Sequence, residues 1–338
     1  MGESNRLGHT RPMPLNKRGL NASRISLGCM GFGGEWAPGP IYPEHVKQAE
    51  AAVEAALEVG INFFDHADIY RSGKAEQVFA EVLKARPGLR ESIYIQSKCG
   101  IRFAESDSVP GRYDFSKSHI LQSVDGSLQR LGVEYLDVLL LHRPDPLMDP
   151  DEVGNTLDTL HRSGKVRYFG VSNMNAGQIE LLTSGSTHSF IVNQLELSLL
   201  HTGFVDTGVH VNQAAAQANY FPDGTMEYMQ LHDIQVQAWS PLARGYLSGR
   251  LVTEQAAADE PATTQATATL VARMAEEKGV SREAVALAWL MKHPADIQPV
   301  IGTTNPERIK ACAEALQIEL TRDEWYHLYV TSRGARLP

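Results

Sequence analysis

The chain alternates, almost from end to end, between short apolar runs and stretches with helical periodicity. The apolar runs are Ile25 to Met30, Asn62 to Asp65, Ser92 to Lys98, Tyr135 to His142, Val166 to Ser172, Ile191 to Glu196, Gln235 to Ser240 and Gln298 to Ile301. Between them the spacing predicts helices at Pro43 to Val59, Lys74 to Ala85, Ser116 to Leu131, Pro150 to Ser163, Ala176 to Leu182 and Met226 to His232. After the seventh run come helical stretches at Ala268 to Lys278 and Arg282 to Lys292, and after the eighth Glu307 to Ile318. Continuous apolar strands joined by helical crossovers read as a parallel sheet covered by helices. Eight such units in 338 residues fit a (β/α)8 TIM barrel. An open doubly wound sheet is the structural alternative. The expected organisation is a loose N-terminal arm over residues 1 to 15, then a single barrel domain over 16 to 338. Lys17 to Asn21 is expected to turn a small hairpin ahead of the barrel, and Arg322 to Pro338 to form a terminal helix on its rim, with Trp325, Tyr326 and Tyr329 at helical spacing.

Three consecutive strands end in ionisable groups: Asp65, Lys98 and His142. Tyr70 follows Asp65 by one short loop in NFFDHADIY. One such strand end is often just the chain reaching solvent, but in a barrel all three converge on the mouth where active sites are built. Free phenols and lysines titrate near pH ~10. An ammonium beside the phenol favours tyrosinate and makes the tyrosine a usable acid, with Asp65 holding the lysine charged and oriented. His142 adds a hydrogen bond to a substrate oxygen. The set suits protonation of an oxygen as negative charge builds on it, which is what carbonyl reduction needs once another group delivers hydride.

Composition narrows the alternatives. A hydrophobic content of 43% with 21% charged residues is that of a globular protein with ample core. The net charge of -9 argues against a nucleic-acid surface. Cys29, Cys99 and Cys312 are odd in number and far apart, which fits neither a disulfide framework nor a metal site. No run is long enough to span a membrane and the polar start does not read as a signal peptide, so a cytoplasmic protein is expected. The glycines in GCMGFGG permit close approach of a ligand at the end of the first strand, but lack the spacing of a dinucleotide fingerprint. Three long connections, 99–115, 199–225 and 242–266, all follow strand ends and are expected to wall a substrate pocket. The second, with AAAQA inside it, has room for a short helix. Trp36, Phe103, Tyr113 and Met174 are candidates for an apolar wall beside the catalytic groups.

With these residues in view, the chain resembles the aldo-keto reductase superfamily from about Ile25 to about Ile318, and within it a bacterial subgroup of general oxidoreductases. The resemblance rests on D-x-A-x-x-Y at Asp65 and Tyr70, on SKCGI at Lys98, on LLLHRPDP at His142 and on GVSN at Ser172 and Asn173. It continues through VNQLE at Gln194, WSPL at Trp239 and GTTNPER at Arg308. It implies a catalytic tetrad of Asp65, Tyr70, Lys98 and His142 and an NADP(H) cofactor. The nicotinamide carboxamide would rest on Ser172, Asn173 and Gln194, and its ring on Trp239. Ser240 and Leu242 would line the pyrophosphate, Thr303 and Arg308 would meet the 2′-phosphate, and Gly28, Cys29 and Met30 complete the cofactor-binding set.

The chain departs from the pattern at His66, where serine or threonine is common, and at Trp239, where tyrosine is more frequent. Gly302 stands where some branches carry a phosphate-binding lysine, which loosens the expected preference for NADPH. The resemblance thus implies NADPH-dependent reduction of small-molecule aldehydes or ketones. The alternatives are a nicotinamide-binding regulatory subunit, which retention of all four tetrad positions disfavours, and a Schiff-base lyase using Lys98.

Overall fold

The computed structural model describes residues 12–249 and 261–338. Ten strands are present among them: β1 (Ser26–Gly28), β2 (Phe63–Asp65), β3 (Tyr94–Cys99), β4 (Ile101–Arg102), β5 (Arg112–Tyr113), β6 (Leu136–Leu141), β7 (Val166–Ser172), β8 (Phe190–Glu196), β9 (Gln235–Trp239) and β10 (Gln298–Ile301). Eight of these close a parallel barrel in the order β1-β10-β9-β8-β7-β6-β3-β2, while β4 and β5 form a separate antiparallel hairpin. The TIM barrel is therefore the fold, and the open sheet is excluded because β1 pairs with both β2 and β10.

Local chemistry fixes where the crossovers begin. Ser116, Asp149 and Asn305 each accept a backbone N–H opening the helices Lys117–Leu131, Pro150–Arg162 and Pro306–Ala313. Two of these helices start with proline, whose missing N–H costs nothing there. Strand residues alternate between the helical layer and the barrel interior. The interior at the N-terminal end is apolar, formed by Phe63, Val138, Leu140, Ile191 and Val192.

That end is closed by residues expected to lie in a loose arm or a hairpin. Pro14–Lys17 is instead one helical turn, with Met13, Leu15 and Leu20 buried against the barrel interior. The amide of Leu20 returns to the carbonyl of Leu15, and Gly19 takes a left-handed φ of 86° that lets the chain reverse. Burial of Met13 and Leu15 moves the end of any arm to before residue 13; residues 1–11 lie outside the described part.

The long connections carry structure of their own. The β4–β5 hairpin fills the first, and the helix Gly203–Val209 with a 3-10 turn at Ala214–Ala218 fills much of the second. The third contains a 3-10 segment, Ala243–Ser248, while 250–260 lie outside the described residues. The helix predicted from Ala268 starts earlier, at Ala262, since its Thr-rich first turns show little apolar patterning. The terminal helix Arg322–Arg333 stacks Trp325 on Trp289, with ring centroids 5.1 Å apart. No helix among the described residues is long and apolar enough to cross a membrane.

Candidate active site

The C-terminal ends of the barrel strands surround a cavity of about 630 Å³. Asp65 closes β2 and Lys98 lies one residue before the end of β3, so these adjacent strands bring the two side chains together. Lys98 is fully buried; its Nζ donates to Asp65 Oδ2 at 2.7 Å, to the His66 carbonyl at 2.9 Å and to the Tyr70 hydroxyl oxygen at 3.0 Å. Because the Tyr70 oxygen accepts from the ammonium, its own O–H is left to point into the cavity. His142, just past β6, lines the same space, with its ring 6.1 Å from that of Tyr70. All four strand-end groups are thus brought together.

The electrostatics follow from burial. Desolvation pulls the Lys98 ammonium down, but Asp65 and Tyr70 more than offset it and hold the pKa above the ordinary lysine value. Burial pushes the Tyr70 phenol up, and Lys98 only partly reverses this. The expectation of a lowered phenol pKa is therefore corrected: desolvation outweighs the ammonium, and Tyr70 is a protonated donor. Burial, then the cations Lys98 and Arg143, hold the His142 imidazole well below its usual pKa, so it is neutral at pH 7. Its Nδ1 is buried without a partner, which leaves Nε2 to serve the cavity.

Beneath these four groups runs a chain of glutamines, of which the sequence reading names only Gln194. Gln96 and Gln194 donate to Asp65 Oδ1, at 2.6 and 3.1 Å, and to Gln237 Oε1, at 2.8 and 3.0 Å. Gln237 donates in turn to Gln298 at 2.9 Å. Strand register produces this chain, since Gln96 pairs with Asp65 and Gln237 with both Gln194 and Gln298. The legible signal was period two: Gln96 and Gln237 precede Lys98 and Trp239 by two residues and so share their inward face. Behind β3, Glu76 accepts from Ser97 at 2.7 Å and from Arg130 at 2.8 Å. Nearby, burial and then Glu76 push the Asp68 carboxyl up to about 7.

Gly28, Met30, Ser172, Asn173, Gln194, Trp239, Ser240, Leu242, Thr303 and Arg308 all line the cavity. Asn173 takes a left-handed φ of 58°, donates to Ser172 Oγ at 2.7 Å and accepts from the Trp239 indole at 3.1 Å. That bond fixes the large ring at the end of β9. Ser240, Ala243 and Arg244 also have positive φ, an accumulation of non-glycine strain typical of a functional loop. Cys29 is the exception: it is buried in the core, its thiol directed at the Leu27 carbonyl 3.6 Å away, and it does not line the cavity. His66 is likewise buried and packs on Phe79, so only its backbone carbonyl serves the site. Burial holds its pKa at about 3.

The expected apolar wall is also revised. Met174 is buried in the core, and Trp36, Phe103 and Tyr113 are exposed without lining the cavity. Ile69 and Ile101 take that place, together with Met30. Sequence reading also passed over Arg143, Arg244 and Glu283, which line the cavity too. No cluster of three or more metal-ligating side chains occurs among the described residues.

A family model described as the aldo/keto reductase family matches residues 24–329. The chain is 39% identical over 319 residues to a 6-dehydroglucose reductase of Agrobacterium fabrum, covering 93% of this chain and 96% of that one. Among solved structures, the glycerol dehydrogenase of Gluconobacter oxydans superposes with a TM-score of 0.75 at 22% identity, over 94% of this chain and 93% of that chain. An aldo/keto reductase from Klebsiella pneumoniae, in complex with NADP and acetate, gives 0.67 at 23%, over 91% and 90%. Barrel and family match agree: the chain belongs to the aldo/keto reductase family of oxidoreductases.

Proposed function

We propose that the protein reduces aldehydes or ketones to alcohols with NADP(H), and that Tyr70 supplies the proton. The observation that carries the reading is the buried chain from Asp65 through Lys98 to Tyr70, ending in a hydroxyl that faces the cavity beside neutral His142. Bound NADPH would supply hydride to the carbonyl carbon. Tyr70 gives its proton to the carbonyl oxygen as charge builds there, and the Lys98 ammonium stabilises the tyrosinate left behind. Asp65 keeps that ammonium charged and in place. His142 orients the same oxygen through Nε2.

The donor set fits the cofactor. At the tetrad end, Ser172, Asn173 and Gln194 offer the hydroxyl and amides that a carboxamide requires, beside the flat ring of Trp239. Gln194 Nε2 is committed to Asp65 and Gln237, so its Oε1 is the atom left to accept from the carboxamide. The strained loop carrying Ser240, Leu242 and Arg244 would hold the pyrophosphate. Thr303 and Arg308, where the helix Pro306–Ala313 opens, suit the 2′-phosphate, because guanidinium and helix N-terminus both favour an anion. The relative named for 6-dehydroglucose supports a hydroxylated aldehyde as one substrate.

The test is NADPH consumption by the purified protein against aldehydes, ketones, dicarbonyls and quinones. Turnover with at least one class and NADPH preferred over NADH is the expected result. No turnover with any of them, despite bound cofactor, overturns the reading in favour of a cofactor-binding role.

A further inference from the structure

We propose that Arg143 is a substrate-recognition residue, and that the carbonyl compounds this site takes carry an oxygen acceptor, a carboxylate or a hydroxyl, beside the reacting group. This rests on the reductase reading above. Three arginines line the cavity: Arg143, Arg244 and Arg308. Arg244 follows β9 and Arg308 follows β10, adjacent strands that form the arm assigned to the cofactor phosphates. Arg143 comes after a different strand. It follows His142 at the end of β6 and lines the cavity with Tyr70, Ile69 and Ile101, its guanidinium reaching as far as the Trp239 ring at the end of β9.

Its guanidinium has no ion-pair partner among the described residues. Two other partly buried arginines are paired, Arg90 with Asp137 at 2.9 Å and Arg130 with Glu76 at 2.8 Å, and two more, Arg18 and Arg71, donate to backbone carbonyls. The cavity offers Arg143 no such group. Of the two carboxylates lining it, Asp65 is bound to Lys98, and Glu283 belongs to the helix Arg282–Met291 that packs beside the strained loop and β10. Arg143 stands over the Trp239 ring, its guanidinium carbon 5.8 Å from the centroid, a contact that satisfies none of its N–H donors. Ile69 and Ile101, which line the same cavity, supply no acceptors. A planar fork of donors without an ion-pair partner among the described residues therefore lines the cavity that Tyr70 and His142 also line, where an oxygen on the substrate satisfies it.

The experiment compares matched substrates that differ only in that oxygen, with NADPH: glyceraldehyde against propanal for hydroxyls, and succinic semialdehyde against butanal for a carboxylate. The wild-type protein should favour the oxygenated member of at least one pair in kcat/KM. Arg143→Met should lower that preference by about 10- to 150-fold, the worth of one charge-assisted hydrogen bond. Arg143→Lys should retain part of it. The pair that moves identifies the acceptor. If the wild-type protein reduces all four compounds without preference, or Arg143→Met depresses both members of each pair equally, Arg143 only supports Trp239 and the assignment is overturned while the reductase reading stands. If none of the four is reduced while another aldehyde, a ketone, a dicarbonyl or a quinone is, the assignment of Arg143 is overturned and the reductase reading stands.

Discussion

At the scale of single residues, the site depends on one buried ion pair with a phenol at its end. Lys98 and Asp65 are almost wholly removed from water, so deleting either leaves the other charge without compensation. Lys98→Met should raise the pKa of Tyr70. Reduction fails as pH rises through the pKa of its acid, so the alkaline limb of the rate profile should move to higher pH while the plateau falls. Asp65→Asn should weaken the same coupling, and the double variant should lose far less than the sum of the singles. Strict additivity in a pH-resolved double-mutant cycle would show that the pair does not act as a unit. Cofactor choice is also set by single residues. Arg308→Ala should weaken NADPH binding about 10- to 150-fold and leave NADH nearly untouched, since one charge-assisted phosphate contact contributes about 1.5–3 kcal/mol. Gly302→Lys should act in the opposite direction, because a Cβ there meets nothing within 4 Å and the new ammonium adds a phosphate partner. Equal effects on both cofactors, measured by quenching of protein fluorescence, would assign these positions to the fold instead. The strand-end groups were legible in the sequence because each stands where an apolar run stops. Of the glutamines beneath them only Gln194 was named: period two puts Gln96 and Gln237 on the inward face, but only the register between strands brings Gln96, Gln194, Gln237 and Gln298 into one row.

At the scale of elements, helix against helix sets tighter limits than helix propensity. Gly154, in the helix Pro150–Arg162, lies so close to the chain after the helix Ala176–Ser184 that an added Cβ would fall 1.8 Å from the Gly185 carbonyl oxygen. Alanine normally stabilises a helix interior by about 0.5–1 kcal/mol relative to glycine. Here overpacking costs roughly 1–3 kcal/mol or more and prevails. Gly154→Ala should therefore lower the urea midpoint, and an unchanged or raised midpoint would mean that the two helices stand further apart. This contact explains what the sequence could and could not disclose. Strand and helix positions follow from local periodicity, and most agree to within a residue or two. The hairpin of β4 and β5 and the helix Gly203–Val209 were hidden because each is too short to set an apolar period of its own, the helix being held from outside by Phe204 against Trp289 and His293. Met174 misled for the opposite reason: it follows β7 like a mouth residue, yet the Asn193 side chain holds its carbonyl at 2.8 Å and the side chain turns into the core.

For the molecule as a whole, the barrel divides its labour between two ends. The N-terminal end is sealed by Met13, Leu15 and Leu20 on an apolar layer, and the C-terminal end carries the polar row and the cavity. Leu15→Ala should cost about 2–5 kcal/mol of stability, as buried leucines do, while leaving KM for substrate and cofactor unchanged. A shift in KM would mean that the plug communicates with the mouth. The central claim concerns the other end, that a cavity built from strand termini protonates a carbonyl oxygen through Tyr70. Tyr70→Phe keeps the ring, its packing and its edge-on contact with His142, and removes only the acidic hydroxyl. Its turnover with NADPH and an aldehyde that the wild-type protein reduces should fall by about two orders of magnitude or more, in line with the worth of a positioned acid, while NADPH affinity is retained. A variant that keeps even about a third of wild-type turnover, well inside that range, would take the proton transfer away from Tyr70 and contradict the account.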